Sequence, residues 1–132
     1  MSEKNRMLTL AAQARDRAYA PYSGFQVGAV LRGGSGRLYA GCNVENAAYP
    51  QSQCAEATAL GGLIVGGDTR LTEVLILGPG DKPLVPCGGC RQRLLEFATA
   101  VTPIHLCSES GAHTTLILAA LMPHAFGPDS LS

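Results

Sequence analysis

The chain has 132 residues, 46% hydrophobic and 15% charged, and its ten basic and ten acidic side chains cancel. Its length suits one compact domain over residues 1–132, and a charged share well under the about 25% of typical domains fits a chain that hides apolar surface by self-association. A neutral chain without a basic run gives polyanion binding no electrostatic support, and its longest late apolar run, residues 116–122, is too short for a bilayer, which argues against nucleic-acid and membrane partners.

The N-terminus, Met1-Ser2-Glu3-Lys4-Asn5-Arg6, is polar and lacks the apolar core of a secretory signal, so a reducing cytoplasm is the expected compartment. Residues 5–20 read as an amphipathic helix, because Met7, Leu8, Leu10, Ala11, Ala14, Ala18 and Tyr19 recur at helical spacing until Pro21 stops it. Residues 25–31 and 37–44 read as two strands of a hairpin around Gly33-Gly34-Ser35-Gly36, and residues 45–53 as a polar loop. Residues 54–65 form a helix apolar almost all round, which predicts burial, with close packing as the reason for Gly61 and Gly62. Residues 72–77 make a continuous apolar strand, typical of a sheet covered on both faces. A loop to Pro86 and a helix over 88–98 follow, then short strands at 103–107 and 113–117 and a brief helix at 118–122. This alternation implies an α/β fold with a mixed sheet flanked by helices on both faces.

Chemistry concentrates in Cys54-Ala55-Glu56 and Pro86-Cys87-Gly88-Gly89-Cys90, each at the start of a predicted helix. Taken singly, these have ordinary readings. A C-x-x-C can be a redox pair or half of a structural zinc site, Cys54 a small buried hydrophobe, and Glu56 a first-turn carboxylate favoured by the helix dipole. Jointly they suit a catalytic zinc, with Cys54, Cys87 and Cys90 as ligands, a fourth position open, and Glu56 as a proton carrier that does not ligate. Three thiolates leave a zinc site with a net charge of −1. Helix N-termini and Arg91, directly after the last cysteine, are the expected sources of compensating positive charge. Cys42 and Cys107 lie in strand-like runs and are expected in the core, while His105, His113 and His124 have no motif company.

These motifs resemble the homotetrameric class of cytidine deaminases. The likeness runs from about Ala20 to Phe126 and includes Pro21-Tyr22-Ser23, Phe25, Val27-Gly28-Ala29, Gly41 to Ala47, Tyr49-Pro50, both cysteine motifs, Arg91-Gln92 and Phe126-Gly127-Pro128. The resemblance implies a three-layer α/β/α sandwich with a five-stranded mixed sheet, one Zn²⁺ per subunit on Cys54, Cys87 and Cys90, and Glu56 as the catalytic proton carrier. It further implies that the Ala55 backbone holds the pyrimidine amide edge, Phe25 packs on the base, and Asn43 and Glu45 bind sugar hydroxyls. Tyr49 and Phe126 would reach across the interfaces of a homotetramer. The implied reaction is hydrolytic deamination of cytidine and 2′-deoxycytidine. Two alternatives stand beside it: another cytosine-bearing small molecule such as blasticidin S, or a non-catalytic zinc module closed by Cys42 or Cys107. One departure is visible. The family commonly carries arginine directly after the catalytic glutamate, where this chain has Ala57.

Overall fold

Ser2 caps the first element. Its hydroxyl accepts from the Asn5 amide at 3.1 Å, and helix α1 runs over Glu3–Asp16. The structure, a computed structural model, describes residues 2–131. Helix α1 ends four residues before the helical spacing runs out. The Tyr19 amide donates to Asn43 O at 3.0 Å, and Tyr19 O accepts from the Glu45 amide at 2.9 Å. Tyr19 thus joins an extended bridge to Val44, and this long-range pairing, rather than Pro21, ends the helix.

Five strands follow: β1 (Gly28–Gly33), β2 (Leu38–Cys42), β3 (Leu71–Gly78), β4 (Pro103–Ser108) and β5 (His113–Ile117). They form one mixed sheet in the order β2-β1-β3-β4-β5, with β3 and β4 parallel and all other neighbours antiparallel. Helix α2 (Ala55–Val65) leads into β3, α3 (Gly88–Leu95) into β4, and the short α4 (Leu118–Leu121) follows β5. Strand β1 starts three residues later than the apolar run that predicts it, because the Asn43 side chain, not a ladder, bonds the backbone of Phe25 and Val27.

Both faces of the sheet are covered. Val30, Leu75, Leu77 and Cys107 meet Met7 and Ala11 of α1 on one side. Leu31, Val74, Ile76, Ile104 and Leu106 meet Ala59 and Leu63 of α2, Leu94 of α3, and Leu118 and Leu121 of α4 on the other. The alternation along β3 and β4 explains why their sequences read as unbroken apolar runs. The arrangement is the expected three-layer α/β/α sandwich.

Gly41 sets the height of α2 over the sheet, and Gly61 and Gly62 correct the expectation for that helix. A Cβ on Gly41 of β2 would stand 2.4 Å from Ala59 N and 2.7 Å from Ala55 O, so only glycine lets strand and helix approach this closely. Gly61 and Gly62 behave differently: no atom lies within 4 Å of a Cβ built on either, and both are exposed. Within this chain α2 is therefore buried on one face only, and Ile64 and Val65 are exposed on the other. Cys107 is in the core as expected, whereas Cys42 is only half-buried.

Candidate active site

Cys54 is the N-cap of α2 and Cys87 the N-cap of α3, and neither side chain caps its own helix. Both sulfurs are thus left free at helix ends that carry partial positive charge. Cys90, in the first turn of α3, is fully buried and completes the group. The three sulfurs lie within 4.8 Å of one another, and Cys54 Sγ is 3.9 Å from Cys87 Sγ. A tetrahedral zinc with Zn–S bonds of about 2.3 Å needs sulfurs about 3.8 Å apart, so the residues present fit that ion. Among the described residues neither Cys42 nor Cys107 joins this group, which removes the fourth sulfur that a closed structural site would need.

Electrostatics points the same way. Burial pushes the Cys90 thiol far up, reinforced by the charges of Glu56 and Cys54. Burial also raises Cys54, with Cys87 adding to the effect. Cys87 feels burial too, but bonds from the Cys90 amide and thiol outweigh it and hold Cys87 below the ordinary thiol value. Glu56 is 5% exposed, and burial raises its carboxyl pKa against its own amide, the Cys90 thiol and the charge of Arg93. Four acidic groups this close resist ionising together, and a divalent cation among them removes that resistance.

The centre forms part of the wall of a cavity of about 310 Å³, lined by Cys54, Ala55, Glu56 and Cys87 together with Phe25, Asn43 and Glu45. Asn43 Oδ1 accepts from the Val27 amide at 2.9 Å, and its Nδ2 donates to Phe25 O at 2.8 Å. That uses one donor and one acceptor and leaves one of each for a ligand. Glu45 Oε1 accepts from the amides of Tyr22 at 3.0 Å and Ser23 at 3.1 Å, and the Ser23 hydroxyl donates to Oε2. The hydroxyl bond is the main reason its carboxyl pKa lies below the usual range.

The family model for the cytidine and deoxycytidylate deaminase zinc-binding region matches residues 1–106. The cytidine deaminase of Sporosarcina psychrophila is 36% identical over 127 residues, 96% of this chain and 93% of that one. That of Mycobacterium tuberculosis is 39% identical over 129 residues, 92% of this chain and 87% of its relative. The 1.6 Å crystal structure of cytidine deaminase from Burkholderia pseudomallei superposes with a TM-score of 0.89 at 36% identity, covering 96% of this chain and all of that one.

This chain belongs to the cytidine and deoxycytidylate deaminase family.

Within this deaminase fold the remaining candidates fall outside the cavity. Tyr49, 70% exposed, packs edge-on against Tyr22 with ring centroids 5.9 Å apart, beside a second hollow that shares Ser23 and Glu45. The Phe126 ring is also exposed, and its carbonyl accepts from Gln92 Nε2 at 2.8 Å. Arg91, expected as a source of compensating charge, is held by two backbone carbonyls. Its Nε donates to Pro86 O and its Nη1 to Leu121 O, both at 2.8 Å, so the guanidinium fastens the loop before Cys87 to the end of α4. Three deaminase-site features had no role assigned from sequence. Leu84 and Val85, from the loop after β3, also line the cavity. Ser23 supports Glu45. Arg93 carries a charge that reaches Glu56, and its spacing of three from Cys90 on one helix is the signal that would have found it.

Proposed function

We propose that this chain catalyses the zinc-dependent hydrolytic deamination of cytidine and 2′-deoxycytidine to uridine and 2′-deoxyuridine with release of ammonia. The observation that carries this reading is one cavity whose walls combine Cys54, Cys87 and the buried Glu56 with Phe25, Asn43 and Glu45. Cys54, Cys87 and Cys90 would hold the metal. When bound, zinc supplies Lewis acidity that makes water nucleophilic at neutral pH. Glu56 takes the first proton that water gives up and delivers it to ring N3, then takes the second from the hydroxyl added at C4 and gives it to the departing amine. A C4–O bond forms and the C4–N bond breaks, so one water is consumed and one ammonia released. A carboxyl raised by burial suits a group that must alternately hold and give a proton. The Ala55 backbone holds the pyrimidine amide edge, Phe25 packs on the base, and the free donor and acceptor of Asn43, with Glu45, take the sugar hydroxyls.

The functional unit in this proposal is a homotetramer, with Tyr49 and Phe126 completing neighbouring sites. Their exposed rings and the outward apolar face of α2 support it. Thiolate ligands need reduced cysteines, which supports a cytoplasmic setting, and a reaction that turns cytidine into uridine would serve pyrimidine salvage there.

The test is a panel of cytidine, 2′-deoxycytidine and blasticidin S, with ammonia release and absorbance followed before and after dialysis against a chelator. The two nucleosides should turn over, the dialysed protein should not, and added zinc should restore it. Turnover of blasticidin S alone, or of nothing with zinc bound, refutes the proposal.

A further inference from the structure

Three thiolates and one divalent cation leave a charge of −1 beside the buried Glu56 carboxyl, and charge of that kind is costly unless a cation stands close by. Ala57, one residue past Glu56, offers none. The Arg91 guanidinium donates to the carbonyls of Pro86 and Leu121, neutral acceptors that fix its position and leave its charge in place. Arg93 is placed differently. It lies three residues past Cys90 on α3, a spacing that puts two side chains on one helix face. Among the described residues its side chain has no hydrogen-bond or ion-pair partner. Its Nη1 instead rests over Gly89, where a Cβ would stand 3.1 Å from Nη1 and 4.0 Å from Cys87 Sγ. Arg93 is exposed, and its guanidinium and the sulfur are within about 7 Å, inside the screening length of about 8 Å at physiological salt. Any larger residue at 89 would press on the guanidinium, so Gly89 supplies the room it occupies.

We propose that Arg93, lying over Gly89, supplies a cation that offsets the excess negative charge of the Cys54, Cys87, Cys90 and Glu56 centre. It is a positioning residue and touches no reacting atom. Removing its charge raises the free energy of the thiolate set and so weakens metal binding, and it leaves the Glu56 carboxyl facing the site's negative charge alone. The proposal rests on the zinc reading above.

The experiment measures zinc(II) affinity of the full chain by competition with a chromophoric chelator, for wild type, Arg93→Lys, Arg93→Gln, Arg93→Glu and Cys54→Ser. Affinity should fall in the order Lys, Gln, Glu, with a loss of roughly tenfold at Gln, the low end of what supporting groups around a metal contribute. The Gln deficit should shrink in 1 M salt, where the screening length is about 3 Å. Wild-type affinity in both Arg93→Gln and Arg93→Glu overturns the proposal and leaves the zinc reading intact. Equal binding by wild type and Cys54→Ser overturns the zinc reading, and the proposal with it. Melting in excess chelator separates a structural role: the Arg93 variants should melt with wild type there, and a drop common to Lys, Gln and Glu assigns Arg93 to the fold instead.

Discussion

Asp68 accepts from the Ser35 hydroxyl at 2.6 Å, the Ser35 amide at 3.1 Å and the Tyr39 hydroxyl at 2.7 Å, tying the β1–β2 turn to the segment after α2. The Ser35 hydroxyl, then the Tyr39 hydroxyl, hold its carboxyl below the usual range. A depressed pKa in the folded state means the contribution is fully present above the unfolded value, about 3.9, and is lost as pH falls through the folded value. Asp68→Asn should therefore lower the urea midpoint at pH 7, and the gap to wild type should narrow toward pH 3. A gap of constant size at both pH values contradicts this. Asn43 shows what a sequence conceals at this scale. The resemblance implies only a sugar contact for its amide, whereas its hold on Phe25 and Val27 depends on a pairing that only the folded chain makes.

At the scale of elements, strand and helix order followed from hydrophobic period, and β5 begins and ends where its sequence predicts. Ends were less legible wherever a distant partner intervened. Tyr19 continues a helical pattern, yet residues 43–45 pull it into a bridge. Helix α3 stops at Leu95, and the carbonyl of Phe97, inside the predicted helix, instead accepts from the Leu71 amide at 2.9 Å. The cysteine motifs were legible because spacing and helix starts are both local. The Arg91 contacts were not, since Leu121 is thirty residues away in sequence. Gly41 gives the sharpest test here. Gly41→Ala drives a methyl group into the backbone of α2, the helix that carries Cys54 and Glu56, and should cost about 1–3 kcal/mol in chemical denaturation. Wild-type stability would contradict the close approach.

On the scale of the whole molecule, apolar surface is left over. Val65, Val101, Tyr49 and Phe126 are each at least 61% exposed, in a chain with few charges to keep copies apart. No helix among the described residues is long and apolar enough to cross a membrane. Light scattering should find a particle near four chains of 13.7 kDa. A monomer that turns over cytidine at full rate would contradict the proposed completion of sites across subunits.

Glu56 is the proposed proton carrier beside the three cysteines able to hold a metal. The measurement is the cytidine turnover number of Glu56→Gln beside wild type, at matched zinc content. The predicted result is a fall of at least about 10²-fold with zinc still bound, the range expected for losing a general acid and base. Equal turnover at equal zinc content would contradict it.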